Sequence, residues 1–161
     1  MAKLRWLITP LVVLAACPAF GQANPGCAPQ PKTLAAMRHC FRPLLVFAPV
    51  SKDPRLKKQG AILDEDADDM MDRFVMLTPI LPAAGGYQTP LDAPYTVLGK
   101  AQMQAIRTRF HVSDDQFLVL LLGEDGGEKL RSTAPVSAEK LNALIDTMPE
   151  RKLERERPHA N

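Results

Sequence analysis

The chain has 161 residues, of which 46% are hydrophobic and 24% are charged, values typical of one globular domain with short additions. It contains 20 Lys and Arg residues against 18 Asp and Glu residues, and two of the basic ones, Lys3 and Arg5, lie at the very start. Without these two, 18 basic residues face 18 acidic ones. No excess of positive charge remains, so we expect no binding to nucleic acid.

The first 23 residues have the pattern of a secretory signal peptide. After the basic start, residues 6–16 form an apolar stretch too short to span a bilayer, and small residues follow. Gly21-Gln22-Ala23 predicts cleavage after residue 23, whereas Leu14-Ala15-Ala16-Cys17 is similar to a bacterial lipobox. We therefore expect an exported protein, periplasmic or extracellular, with no transmembrane helix after signal removal. A lipoprotein anchored through Cys17 is the alternative.

Two cysteines, Cys27 and Cys40, follow the signal. Disulfides persist in exported compartments, and we expect a structural bridge that fixes an extended arm, residues 24–33, to the start of the first strand. The 12 intervening residues do not make the Cys-x-x-Cys spacing of a redox site. A redox-active pair and two free thiols stay open as alternatives.

The domain that follows comprises residues 34–151. Its first strand is predicted by an apolar run at residues 44–50, which is typical of a central strand covered on both sides. Asp53 is expected to cap the next helix, with Pro54 at its first position. One stripe of this helix should pack on the sheet. Its residues are Leu56, Gly60, Leu63, Ala67 and Met70.

The opposite side of this helix is acidic. It carries Asp64, Glu65, Asp66, Asp68, Asp69 and Asp72. The segment lacks the alternating oxygen ligands and the turn glycine of a calcium hand, so a solvated face is favoured over a calcium site. We expect no metal and no cofactor.

The remaining elements follow in a regular order. Strands are predicted at residues 74–81 and 117–122, with an antiparallel edge strand at 128–133 after a turn containing Asp125-Gly126. A long loop, residues 82–99, carries Tyr87 and Tyr95 as possible anchors. The next helix spans residues 100–111 and has a buried face of three apolar residues; its basic side chains are expected to face solvent. The buried residues are Met103, Ile106 and Phe110, and the basic ones Lys100, Arg107 and Arg109.

A last helix closes the domain. Ser137 is expected to cap it, and Pro149 to end it. Its core-facing residues should be Leu141, Leu144, Ile145 and Met148. The charged tail, residues 152–161, is expected to be disordered or a frayed helical extension.

The loop after the first strand is the place where chemistry is usually mounted in an α/β sheet. Here it consists of Val50, Ser51, Lys52 and Asp53, with no cysteine, histidine or glycine-rich phosphate loop. These four residues, together with Tyr87 and Tyr95 of the long loop, form the candidate binding face. No catalytic residue is assigned.

Four stretches resemble motifs of the domain of unknown function 4174 family. They are Arg42-Pro43-Leu44-Leu45-Val46-Phe47-Ala48-Pro49, Asp53-Pro54-Arg55, Gly123-Glu124-Asp125-Gly126-Gly127-Glu128-Lys129-Leu130-Arg131 and Leu144-Ile145-Asp146-Thr147-Met148-Pro149-Glu150-Arg151. The resemblance extends from about residue 34 to 151. Such domains occur in secreted bacterial proteins and are similar to domains of vertebrate extracellular-matrix proteins with sushi repeats.

The resemblance implies a thioredoxin-like α/β fold related to peroxiredoxins. Such a fold has a central mixed four-stranded sheet, in the order β-α-β-α-β-β-α, with flanking helices, and the predicted elements have this order. The family carries no established catalytic residues to transfer. Where a thioredoxin has its two cysteines, this chain has approximately Ser51-Lys52-Asp53-Pro54, and serine cannot supply a thiolate. The proline expected before the hairpin is replaced by Asp114-Asp115-Gln116.

These departures favour a non-catalytic, exported thioredoxin-like module that binds another protein or an envelope component. The first alternative is a divergent thiol-disulfide oxidoreductase or peroxiredoxin-like enzyme that uses Cys40 with Cys27 as its resolving partner. The second is a hydrolytic or transfer enzyme that uses Ser51 with Lys52 or Asp53 as base.

Overall fold

A computed structural model describes residues 26–83 and 85–156 of the chain. The predicted signal peptide, including Cys17, lies outside these residues. The described elements, in chain order, are α1 (Leu34–Met37), β1 (Arg42–Phe47), α2 (Pro54–Glu65), α3 (Ala67–Asp72), β2 (Val75–Ile80), α4 (Lys100–Phe110), β3 (Leu118–Leu122), β4 (Glu128–Ser132), α5 (Ala138–Ile145) and α6 (Pro149–Glu156).

The strands form one mixed four-stranded sheet in the order β2-β1-β3-β4. Strand β1 pairs with β2 in parallel, from Arg42 opposite Val75 to Phe47 opposite Ile80, and pairs with β3 in the antiparallel sense. Strands β3 and β4 form the antiparallel hairpin. The predicted α/β fold class and strand count are therefore confirmed.

The central strands are buried along their whole length because their side chains are apolar on both faces. Every residue of β1, β2 and β3 is buried, whereas edge strand β4 is largely exposed. Strand β1 ends at Phe47, three residues earlier than predicted. Ala48 still donates to the Ile80 carbonyl, but Pro49 has no N–H to continue the ladder.

The start of α2 is as predicted. The Asp53 carboxylate accepts the Arg55 N–H, and Pro54 occupies the first turn. The predicted single stripe needs two corrections. The helix breaks at Asp66 into α2 and α3, and the buried position is Gln59, while Gly60 is only half-buried.

Gln59 can be buried because its side-chain amide forms hydrogen bonds with the backbone of Val136. Its Nε2 donates to the Val136 carbonyl at 3.0 Å, and its Oε1 accepts the Val136 N–H at 2.7 Å. Both polar ends of the amide are satisfied, so burial costs little. This contact joins α2 to the segment that precedes α5.

The carboxyl-terminal region contains one helix more than expected. Ser137 caps α5 by accepting the Lys140 N–H, as predicted, but Pro149 begins α6 as well as ending α5. Residues 152–156, expected to be disordered or a frayed helical extension, are helical. Arg151 and Glu154 of α6 join buried contacts that hold this helix. Residues 157–161 are outside the described part.

Within the described ranges, none of the helices combines the length and the apolar character needed to cross a bilayer.

Candidate functional site

The loop after β1 lies where the carboxyl ends of the parallel strands β1 and β2 meet. A turn in which Asp53 donates its N–H to the Val50 carbonyl closes this loop. Val50, at the tip, is 58% exposed, Lys52 is exposed and Ser51 is half-buried. Three of the four predicted loop residues are therefore accessible, and Asp53 is not.

Asp53 is committed to structural contacts. Only 5% of it is exposed, and its carboxylate accepts the Arg55 N–H at 2.8 Å, Arg55 Nε at 3.0 Å and Arg55 Nη2 at 2.7 Å. The hydrogen bonds from Arg55 hold the pKa of Asp53 below its usual value despite burial. No hydrogen bond links Ser51 to a base in the described part of the chain, so this geometry does not activate the serine.

Arg107 lies beneath the loop and closes the sheet end. It is 2% exposed, and its Nη2 donates to the carbonyls of Ala48 at 2.9 Å and Ile80 at 2.8 Å. Its Nη1 donates to the Ser113 carbonyl at 2.6 Å, and the guanidinium lies 5.6 Å from the Phe47 ring centre. Burial lowers the pKa of Arg107, but an arginine remains charged.

The prediction that Arg107 faces solvent was wrong. Met103, Ile106, Arg107 and Phe110 follow the spacing of one buried helix face, and this spacing was the signal that could have placed the arginine inside. Arg107 was assigned to solvent because it is charged and because its carbonyl acceptors at the ends of β1 and β2 cannot be read from the sequence.

A groove of about 250 Å³ runs beside the loop, between α2 and residues 87–91. Ser51 and Tyr87 both line it, and a Cβ at Gly86 would lie 3.1 Å from the Ser51 hydroxyl oxygen. Burial raises the pKa of Tyr87, so its phenol stays neutral. Leu91, at the rim, is 91% exposed.

Asp64 fixes the outer wall of this groove. Its carboxylate accepts the N–H groups of Leu91, Asp92 and Ala93 at 3.1, 3.2 and 2.9 Å. Burial alone would raise the pKa of Asp64, but these three N–H donors lower it below its ordinary value. An acidic residue expected to be only solvated thus organises the long loop.

Tyr95 does not line the groove that contains Ser51. Its ring lines a separate groove of about 210 Å³ with Phe41 and Phe74. Its segment extends the sheet by one bridge, in which Leu77 donates to the Pro94 carbonyl and Thr96 donates to that of Leu77, both at 2.9 Å. The structure thus brings Tyr87, but not Tyr95, to the loop residues.

Cys27 and Cys40 form a disulfide, with their Cα atoms 5.7 Å apart. Cys27 is 6% exposed and Cys40 is half-buried. Cys40 lies two residues before β1, whereas the candidate loop follows the other end of the same strand. At ~3.3 Å per residue, the strand places the bridge about 20 Å from the loop.

The acidic face of α2 and α3 is used in part for packing. The Asp69 carboxylate accepts hydrogen bonds from the Arg73 guanidinium and from the side-chain amide of Asn142. Asp72 forms an ion pair with Arg151. Across the described ranges, no three or more His, Cys, Asp or Glu side chains are grouped to hold a metal ion.

A buried ionic cluster at the amino end of β1 was not foreseen. Arg42 is fully buried, and its Nη2 donates to Glu154 Oε1 at 2.7 Å, its Nη1 donates to the Arg73 carbonyl at 2.8 Å, and Nη1 lies 3.1 Å from Glu124 Oε1. Arg151 joins the cluster through Glu154, Asp72 and Asp146. The cluster fixes α6 to the sheet.

No curated protein matches the chain. Among solved structures, thioredoxin peroxidase I of Plasmodium yoelii is similar with a TM-score of 0.55 at 15% identity, over 80% of this chain and 84% of that one. A reduced 2-Cys peroxiredoxin of Plasmodium vivax is similar with a TM-score of 0.54 at 15% identity, over 74% of this chain and 84% of its own. At this identity the likeness shows a thioredoxin-like fold and nothing finer.

A family model described as a domain of unknown function, DUF4174, matches residues 33–154. The match covers most of the chain, including all four strands and the loop after β1. The chain therefore belongs to the DUF4174 family.

Proposed function

We propose that the protein is an exported, non-catalytic thioredoxin-like module that binds another protein or an envelope component. The observation that carries this proposal is the chemistry of the loop after β1. Its only hydroxyl, that of Ser51, has no base bonded to it among the described residues, and its only carboxylate is committed to Arg55. Export is supported by the signal pattern of the first 23 residues.

The binding face in this proposal is the groove beside the loop. Leu91 exposes an apolar side chain at the rim of the groove, Val50 exposes another on the loop itself, and Ser51, Lys57 and Tyr87 add polar groups to the lining. Exposed apolar groups with polar neighbours are typical of contact surfaces. Asp64 holds the groove open without a ligand, because it fixes residues 91–93.

A thiol enzyme that uses Cys40 with Cys27 is the second candidate. Two similar solved structures are named as a thioredoxin peroxidase and a 2-Cys peroxiredoxin, and the two cysteines of this chain are close enough to be bonded. Against it, Cys27 is buried and the pair lies at the opposite end of β1 from the loop. A redox cysteine needs access to its substrate.

The two candidates predict different behaviour in a turnover assay. Purified protein should reduce neither hydrogen peroxide nor a protein disulfide in a saturable manner when a dithiol is supplied, and its rate should equal that of a Cys27→Ser/Cys40→Ser variant. Should that variant fail to fold, the rate of wild-type protein is compared with that of the dithiol alone in the same buffer. Saturable turnover that is lost in Cys40→Ser or after alkylation would overturn the proposal.

A further inference from the structure

The hairpin turn between β3 and β4 is held rigidly by its own groups. Gly123 donates to the Gly127 carbonyl, and Gly126 donates to that of Gly123, both at 2.9 Å. The Asp125 carboxylate accepts the Gly127 N–H at 2.9 Å and the Lys129 ammonium at 2.8 Å. Asp125 is the only carboxylate of the turn that lines the neighbouring groove, and it is already paired with Lys129.

Two arginines from different elements converge on Gly126. Arg109, in the last turn of α4, donates from Nη2 to the Gly126 carbonyl at 3.3 Å. Arg38, which follows α1, packs against the other side of the same residue, since a Cβ there would lie 3.4 Å from Arg38 Nε. Gly126 has φ +76°, a left-handed conformation that favours glycine, and a Cβ there would reach only ordinary contact distance from Arg38.

Both guanidinium groups lack an acidic partner in the described part of the chain. Most other described arginines form ion pairs; these are Arg42, Arg55, Arg73, Arg107, Arg131 and Arg151. Arg38 and Arg109 instead meet at a neutral glycine, and both are exposed. Bringing two like charges together is unfavourable unless an anion lies between them or close by.

The two arginines border a groove of about 380 Å³. Its walls also include the apolar side chains of Leu34, Met37, Pro43 and Leu122. The size suits a small molecule, and an apolar wall with a few convergent charges is the usual form of a ligand site. Arginine presents a planar fork of N–H donors that matches the oxygens of a phosphate or carboxylate.

We propose that this groove is an oxyanion-binding site in which Arg38 and Arg109 hold the phosphate or carboxylate group of a small organic ligand. The site lies beside the hairpin turn, away from the loop after β1, and is independent of the function proposed above. The Arg109 guanidinium carbon lies 4.9 Å from the centre of the Phe110 ring, a cation–π contact that leaves its N–H groups free for an anion.

Titration calorimetry with inorganic phosphate and with citrate tests the proposal, since the two probes separate phosphate from carboxylate recognition. We expect binding of at least one probe at low ionic strength, weakened about tenfold or more by Arg38→Gln and by Arg109→Gln, because each removes one charged donor. Arg155→Gln, at an exposed arginine of α6, is the matched control and should bind as the wild type does.

Either probe, bound in this pattern, supports the site and names its ligand class. The proposal is overturned if neither probe binds at millimolar concentration, or if both Arg38→Gln and Arg109→Gln bind as tightly as Arg155→Gln. Amide chemical shifts of residues 123–127 provide a second readout, because a true site should perturb them and a diffuse surface effect should not.

Discussion

Replacing Arg107 with methionine should lower the free energy of unfolding by about 1–3 kcal/mol, the usual cost of a buried acceptor left without a donor. The Ala48 carbonyl would lose its Nη2 donor, whereas the Ile80 carbonyl keeps the Ala48 N–H and the Ser113 carbonyl keeps the Gln116 N–H. Methionine keeps most of the apolar contact with Phe47, so the loss reports hydrogen bonding rather than a cavity. Equilibrium unfolding in urea measures the change.

The matched control is Gln104→Met, an exposed position on the same helix. It places the same side chain on α4 without removing a buried donor and should change stability by no more than about 0.5 kcal/mol. An Arg107→Met variant as stable as the control would show that water or other groups replace the arginine at the strand ends.

Replacing Arg42 with methionine should destabilise the protein by about 3–5 kcal/mol, the usual result of removing one partner from a buried ion pair. Arg42 is fully buried and holds Glu154 of α6 through a bond of 2.7 Å. Without it, the Glu124 and Glu154 carboxylates would lie together with no neutralising charge from β1. Urea unfolding and the helical circular dichroism signal measure the loss of stability and of α6.

The size of this loss should depend on pH. In the wild type, burial, together with a hydrogen bond to Glu154, raises the pKa of Glu124 to about 7, although Arg42 opposes the shift. A carboxyl with a raised pKa favours folding while it is protonated, and this contribution is lost as the pH rises through about 7. The Arg42→Met penalty should therefore be larger at pH 8 than at pH 5, where the Glu124 carboxyl is protonated.

Arg131→Met provides the control for this experiment. Arg131 pairs with Glu128 on the exposed edge strand β4, and such surface pairs contribute only about 0–1 kcal/mol. Equal penalties for Arg42→Met at the two pH values would mean that Glu124 does not titrate in this range.

The sheet could be predicted from the sequence because its central strands are apolar on both faces and its turns carry strong local signals. Apart from Arg42, the residues of β1 and β3 are apolar, so neither strand has a polar face that could be assigned to solvent by mistake. The helix caps at Asp53 and Ser137 follow from the residues next to them in sequence. The family resemblance implied the same order of elements. Both predictions rest on patterns of residues that lie close together in the sequence.

What could not be predicted are the buried polar side chains whose partners lie far away in sequence. Gln59 meets Val136, Arg42 meets Glu154, and Arg107 meets carbonyls on two strands. A polar residue on an apolar face is ordinarily assigned to solvent, and only its distant partner reverses that assignment. The same effect made residues 152–156 helical. Tyr95 is separated from the Ser51 groove because its segment forms a backbone bridge with Leu77, which local sequence patterns do not indicate.

The disulfide and its position at the start of the first strand were predicted from the exported compartment and from the two cysteines that follow the signal pattern, and the structure contains this bridge at the amino end of β1. The position of the disulfide matters for function because it leaves the loop at the carboxyl ends of β1 and β2 without a cysteine. The proposal of a non-catalytic module therefore requires that this bridge act only as a structural link.

The most direct test of this requirement is the reduction potential of the Cys27–Cys40 bridge. Purified protein is equilibrated in graded dithiol buffers, alkylated, and analysed by intact mass. The account predicts that the pair opens only below about −300 mV, as structural disulfides do. A midpoint near the roughly −180 to −270 mV of catalytic dithiols would contradict it and favour the thiol enzyme instead.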